Sequence, residues 1–206
     1  MERVKAHVDG FNLYHGLKDH RPGTDASTCG WTCRHWLSAS SSPPSTWLPW
    51  STSRRGSVTR RSQSSGRRYL DALAAHCPLV KVVQGCFQKK THECRSCGCQ
   101  WVSYEEKETD VSIAVQLVED GVRGVFDTAL LISADSDLCP AVRSLKRLNP
   151  GKRVIAVFPP RRHSEDLRKA ANGMIKINDV TVRNSQLPPL VVTATGITLT
   201  RPKHWT

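Results

Sequence analysis

Leu130-Leu131-Ile132-Ser133-Ala134-Asp135-Ser136-Asp137-Leu138 is an apolar run that ends abruptly in two carboxylates one residue apart. The pattern is that of a buried parallel strand opening into a loop. In an open α/β sheet, ligands bind just beyond the carboxyl ends of the strands, so Asp135 and Asp137 fall where such a fold does its chemistry. A second strand ends the same way: residues 3–8 run into Asp9-Gly10-Phe11-Asn12, with a glycine where a close turn needs freedom from a side chain. Two strand ends that both carry acids predict one shared cation site.

Outward from these two strands, the chain alternates. A helix is predicted over 14–18, another over 69–76 and a strand over 79–83. Val111, Ala114, Val115 and Val118 stand at helical spacing and Gly121 closes that helix, which puts Asp110 in its first turn. A helix over 138–148 tolerates Pro140 in its opening turn, and a strand follows over 154–158. Ser164 caps a helix through Asn172, Gly173 ends it, and a short strand is expected over 174–177. Strands alternating with helices through short connections imply a right-handed parallel sheet of the α/β class. With 206 residues the chain suits one domain over 1–178, followed from Asp179 by an extended tail containing Pro188-Pro189 and Arg201-Pro202.

No apolar run approaches the roughly 20 residues that span a bilayer, and the first residues lack a signal peptide's apolar middle. The expectation is a soluble, cytoplasmic protein with no membrane partner. The formal charge of +12 favours a polyanion as partner, but it is unevenly spread: residues 26–70 hold seven arginines, no lysine and no acid.

That stretch also breaks the pattern. After Ala26 come twelve serines, four of the six tryptophans (Trp31, Trp36, Trp47 and Trp50) and Pro43-Pro44, without helical or strand periodicity. Serine, arginine and proline fit disorder; four tryptophans do not. A reading-frame shift over about 20–66 accounts for both. Codons able to encode residues 28–37 also spell, one nucleotide back, Leu-Trp-Leu-Asp-Leu-Pro-Ala-Leu-Ala, and those for 46–55 spell Val-Ala-Thr-Val-Val-His-Val-Thr-Ala-Arg, which reads as a strand. The plain alternative is a flexible basic insertion, and the gene sequence decides between them. The tryptophans are discounted as base-stacking residues for the same reason.

Three of the eight cysteines crowd into Cys94, Cys97 and Cys99, with His92 beside them. Within a possible zinc-binding loop over 86–101 these four are a candidate structural Zn²⁺ clip, although zinc usually draws two ligands from a second segment, for which Cys86 is the nearest source. The alternative is a loop of reduced thiols. Cys77 and Cys139 read as small core residues.

Val8-Asp9-Gly10-Phe11-Asn12-Leu13, Glu106-Lys107-Glu108-Thr109-Asp110-Val111, the stretch 131–138 and Phe158-Pro159-Pro160-Arg161-Arg162 together resemble the NYN domain, a branch of the PIN-like nuclease superfamily. The resemblance covers 1–19 and about 67–205, and departs at Ala134, where family members usually carry glycine, and over 20–66, where they have a helix and a strand. It implies a PIN-like (Rossmann-like) three-layer α/β/α fold with a central mostly parallel sheet, and a ribonuclease that hydrolyses RNA with Mg²⁺ or Mn²⁺. The catalytic set it implies is Asp9, Asn12, Asp110, Asp135 and Asp137, the four aspartates holding the metal and Asn12 orienting a water or a phosphate. Ser133 and Ser136 would hold the acids in place. Arg161, Arg162 and Lys107, together with Ser133 and Ser136, are the substrate-side candidates, with His163, Lys89 and Lys90 as further basic groups; a solvated basic face explains the cations equally well. Singly, Asp110 and Asp137 also read as helix caps and Asp9 as a turn former. The other functional readings are a non-catalytic RNA-binding or regulatory module and an inactive frameshift product that lacks an internal sheet element. The oligomeric state is left open, a homodimer included.

Overall fold

The computed structural model describes residues 2–20, 46–49, 60–83 and 85–201. In chain order the elements are β1 (Val4–Val8), α1 (Gly10–His20), β2 (Thr46–Pro49), α2 (Arg60–His76), β3 (Val80–Val83), β4 (Cys86–Glu93), β5 (Gln100–Lys107) and α3 (Thr109–Val122). There follow β6 (Thr128–Ile132), a 3-10 turn (Ser136–Leu138), α4 (Cys139–Leu148), β7 (Arg153–Phe158), α5 (Glu165–Ala170), β8 (Gly173–Lys176), α6 (Asp179–Asn184), β9 (Leu190–Val192) and β10 (Thr198–Thr200).

Six strands build one sheet in the order β3-β2-β1-β6-β7-β8, every neighbouring pair parallel. The apolar runs explain the centre: all five residues of β6 are buried, as a strand covered on both faces requires. Alternate residues of β6 serve two cores, Leu130 and Ile132 one and Ala129 and Leu131 the other. Ala6 and Val8 pack with Leu13, Leu17, Tyr69 and Leu73 from α1 and α2. On the other face Ile113, Leu117, Val142, Leu145 and Leu167 from α3, α4 and α5 pack on Ala129, Leu131 and Phe158. Each large apolar side chain so enclosed contributes about 1.5–3 kcal/mol. The result is a three-layer PIN-like α/β/α fold around a parallel sheet.

From β1 the chain winds outward through β2 to β3; from β6 it winds the other way through β7 to β8. The strand order therefore reverses between β1 and β6, and the crevice beyond their carboxyl ends is the one such folds use for ligands.

Two sequence expectations are corrected here. The sheet does not lack an internal element: Thr46–Pro49 pairs with both β1 and β3, and α2 begins at Arg60, well before residue 69. Backbone pairing with two neighbours holds this strand where side-chain pattern does not announce it. The expected helix and strand text over 28–37 and over 50–55, with Trp31, Trp36 and Trp50, lies outside the described residues. The segment from Asp179, expected to be extended, forms α6 and an antiparallel β9–β10 hairpin, because Val182, Leu187 and Val191 join the α1/α2 core. Among the described residues no helix is long and apolar enough to cross a membrane.

The inward face of β1 toward α3 is polar. Lys5 and Asp120 form a buried ion pair at 2.5 Å, and His7, fully buried, lies 3.7 Å from the same Asp120 oxygen and edge-on to Phe126. Burial pushes the His7 imidazole down to about 4, with Lys5 adding and Asp120 opposing.

Candidate active site

Val8 pairs with Ile132, so the next residue of each strand, Asp9 and Ser133, meets the other at the carboxyl edge of the sheet. The Asp9 N–H continues the ladder by donating to the Ile132 carbonyl at 3.0 Å. Here Asp9 leaves the strand and caps α1: its carbonyl accepts from Leu13 N–H and its Oδ1 from Asn12 N–H at 2.9 Å. Its Oδ2 accepts from the Ser133 hydroxyl at 2.9 Å. Ser133 Oγ in turn accepts from Asp135 N–H at 3.0 Å, and the Asn12 side-chain oxygen accepts from Ala134 N–H at 3.2 Å. Two strand ends are thus laced together by polar groups of the motifs themselves.

Asp135 Oδ1 caps the 3-10 turn by accepting from Asp137 N–H at 2.9 Å, which sets the second carboxylate on the surface next to the first. Asp110 sits in the first turn of α3, which Glu108 enters at φ 78. A left-handed non-glycine residue is uncommon and marks a junction held by its surroundings. Beside it the Thr109 hydroxyl is buried without a hydrogen-bond partner among the described residues.

The four acids share one electrostatic field. Burial, then the charges of Asp110 and Asp135, raises Asp9 to about 6, against the pull of the Asn12 and Ser133 hydrogen bonds. Asp110 is raised by desolvation and then by Asp135 and Asp137. Among the described residues none of the four has a lysine or arginine partner, although the chain carries a net +12. Nor, among those residues, does any group of three or more His, Cys, Asp or Glu side chains stand close enough together to hold a metal ion.

The remaining candidates divide. Ser133 bonds a carboxylate, whereas the Ser136 hydroxyl makes no hydrogen bond among the described residues. Arg161 and Arg162 lie in the loop after β7, at the same sheet end as Asp9 and Asp135; Arg161 has φ 56. That loop rests on α1, where a Cβ on Gly16 would meet Pro159 Cβ at 2.7 Å and the Pro160 carbonyl at 2.8 Å. His163 is engaged elsewhere, 3.5 Å from Glu165 and edge-on to Phe158. Lys107 is exposed at the end of β5, three residues before Asp110, while Lys89 and Lys90 are exposed along β4. The cysteine set does not close: His92 hydrogen-bonds Ser103 at 2.7 Å and stacks on Trp101, and Cys86 sits at the far end of β4 beside Glu108. Cys77 and Cys139 are buried, as expected of core residues. Sequence reading missed Glu108, whose left-handed turn has no side-chain signature, and Thr109, whose burial depends on α3 packing.

The family model described as NYN domain matches residues 49–178, a span that holds Asp110, Asp135 and Asp137 and starts after Asp9. The 6-hydroxy-3-succinoylpyridine 3-monooxygenase HspA of Pseudomonas putida is 32% identical over 108 residues, 50% of this chain and 34% of that protein. The chain therefore spans about a third of that relative's length. The crystal structure of a protein of unknown function from Vibrio parahaemolyticus superposes with a TM-score of 0.54 at 16% identity, covering 86% of this chain and 94% of that one. At that identity the likeness speaks to the fold alone.

Proposed function

The chain belongs to the NYN domain family, and from that membership we propose that it is a divalent-metal-dependent ribonuclease working at the β1/β6 crevice. The observation that carries the reading is a knot of four coupled aspartates with no cationic partner among the described residues of a strongly basic chain. Such a knot is self-repelling until a cation joins it.

The donor set suits Mg²⁺ or Mn²⁺. Asp9, Asp110, Asp135 and Asp137 offer carboxylate oxygens and neither sulfur nor imidazole, the preference of a hard ion. Mg²⁺ commonly takes only one or two protein carboxylates and completes its shell with waters and substrate phosphate, so a closed protein cage is not needed. When bound, the ion supplies charge neutralisation for the phosphodiester and lowers the pKa of a coordinated water.

The protein's own groups do the rest. Asp9 is the fixed anchor, held by Asn12 N–H and the Ser133 hydroxyl. The exposed Asp110 and Asp137 face the solvent side from which RNA arrives. Asn12, tied to Ala134 through its side-chain oxygen, keeps its amide N–H groups as donors for a water or phosphate oxygen. Arg161, Arg162 and Lys107 hold backbone phosphates by charge, a contact that positions RNA without reading sequence.

The test is cleavage of a labelled unstructured RNA by wild type and Asp135→Asn, with Mn²⁺ and with EDTA. Metal-dependent cutting that falls at least 100-fold in the variant is expected for a carboxylate at the reacting centre. RNA bound but uncut under every condition would transfer the reading to a binding module. Turnover of an aromatic ring substrate without RNA cleavage would transfer it to the chemistry in the P. putida relative's name.

A further inference from the structure

β4 and β5 pair in register from Cys86 with Lys107 to Glu93 with Gln100 and form a sheet of their own, separate from the central one. Eight residues at about 3.3 Å each make an arm of roughly 26 Å, with the loop 94–99 at its free end. The tip is folded by two backbone bonds, Cys94 N–H to the Cys99 carbonyl and Gly98 N–H to the Cys94 carbonyl, each 2.9 Å, and Gly98 supplies the left-handed φ of 69 that the turn needs. Cys97 is exposed and Cys94 half-buried.

Two cysteines three residues apart on a glycine-closed turn are half of a tetrahedral thiolate site. Cys99 lies in the same loop, exposed and bonded to Cys94 through its backbone carbonyl, but no set of three or more ligands is assembled in the described part of the same chain. His92 is committed to Ser103 and Trp101, Cys86 is the whole arm's length away, and no third His, Cys, Asp or Glu among the described residues completes a cluster.

We infer that Cys94 and Cys97 bind zinc together with the same pair from a second copy of this chain, a four-sulfur site that joins two hairpin arms tip to tip. Zinc prefers four thiolates in a closed tetrahedral shell, and each chain releases two thiol protons on supplying its pair. The four-thiolate shell carries two negative charges; the exposed Arg95 of each copy, inside the same loop, offsets them. An arm of this length lets the tips meet while the two domains stay apart. The RNA reaction plays no part in this inference, so it stands or falls separately from the nuclease reading.

The experiment is metal analysis and light-scattering mass of the full chain, purified with zinc and kept in a phosphine reductant. One zinc per two chains, a dimer in zinc and a monomer after the zinc-selective chelator TPEN are expected. Cys94→Ser/Cys97→Ser should retain no zinc, stay monomeric and keep the wild-type far-UV circular dichroism, while Cys99→Ser keeps both metal and dimer. Co²⁺ in place of zinc should show sulfur-to-metal charge-transfer absorption that the double variant lacks. One zinc on a monomer, which would draw on residues such as Cys29 and Cys33 outside the described ones, overturns the inference. So does a dimer that survives TPEN and the double substitution, one that forms only without reductant, or a failure to retain zinc at all.

Discussion

Asp9 and Ser133 lie 124 residues apart in sequence and side by side in space, the serine hydroxyl donating a 2.9 Å hydrogen bond to a carboxylate that is almost wholly buried. The same hydroxyl oxygen accepts from Asp135 N–H, so one serine orients an acid on each of two strands. Ser133→Ala removes both contacts and leaves a buried carboxylate with only the Asn12 N–H. A stability loss of about 1–3 kcal/mol is expected in urea titration at neutral pH. The lost hydrogen bond was holding Asp9 down, so its pKa climbs further above about 6. RNA cleavage in the variant should therefore recover as pH is raised past the wild-type optimum. An unshifted pH profile would leave Ser133 with a packing role only.

The metal-free protein holds two buried groups whose pH dependences oppose each other. Asp9 has its folded pKa raised from 3.8 to about 6, so its contribution to stability is full below pH 3.8 and is lost as pH rises through 6. His7 has its folded pKa lowered from 6.5 to about 4, so its contribution is full above pH 6.5 and is lost as pH falls through 4. Each amounts to about 3 kcal/mol. In EDTA the wild-type unfolding free energy should be nearly flat across this window, with Asp110, also raised, tilting it slightly with Asp9. Asp9→Asn leaves the His7 slope alone: its stability climbs by about 3 kcal/mol from pH 4 to pH 6.5 and exceeds wild type at neutral pH. Adding Mn²⁺ at neutral pH should raise the wild-type melting temperature and leave the variant's little changed, because only a state that binds the ion gains from it. Denaturant titrations at several pH values check all three statements.

Legibility followed burial. β6 and β7 were readable because a central parallel strand is apolar on both faces, and β1, with Asp9, as Asp135 after β6, because each run stops at an acid. The Ser164 cap of α5 was readable too, as its side chain accepts from Leu167 N–H. β2 was not: Thr46–Pro49 has no alternation, and its place comes from pairing with β1 and β3. Neither was the β4–β5 arm, whose lysines, glutamates and cysteines look like loop and whose two strands are set by pairing with each other in a sheet apart from the central one. The switch of strand order that makes the β1/β6 crevice special is a property of topology and has no local sequence mark.

Beneath that crevice Lys5 and Asp120 are a buried pair at 2.5 Å, and breaking one side of it strands the other charge. Lys5→Met should cost about 3–5 kcal/mol at neutral pH. Lys5→Met/Asp120→Leu should recover most of that, since two apolar groups replace two desolvated ones. The single variant carries its own signature. Without Lys5, the imidazole of His7, 3.7 Å from Asp120, loses a repelling neighbour and keeps an attracting one. Its pKa rises, and the deficit of Lys5→Met shrinks as pH falls because a protonated His7 takes the place of the lysine. A deficit independent of pH would show that His7 does not reach the orphaned carboxylate.

Gly16 separates support of the basic loop from chemistry at the acids. A methyl group there would stand 2.7 Å from Pro159 Cβ, 2.8 Å from the Pro160 carbonyl and 3.2 Å from Arg162 Cγ. Two of these neighbours belong to a proline pair whose rings restrict rotation, so the loop must lift as a unit and carry Arg161 and Arg162 with it. Gly16→Ala gains helix propensity inside α1 but overpacks this contact, for a net loss of about 1 kcal/mol. The aspartates are held by a different set of bonds, through Asn12 and Ser133, and stay in place. The expected result is a several-fold rise in KM for RNA, a weaker salt dependence of binding as phosphate contacts are lost, and kcat within a factor of about two. A fall in kcat with KM unchanged would mean that the loop arginines act on the reacting phosphate itself rather than on the strand that carries it.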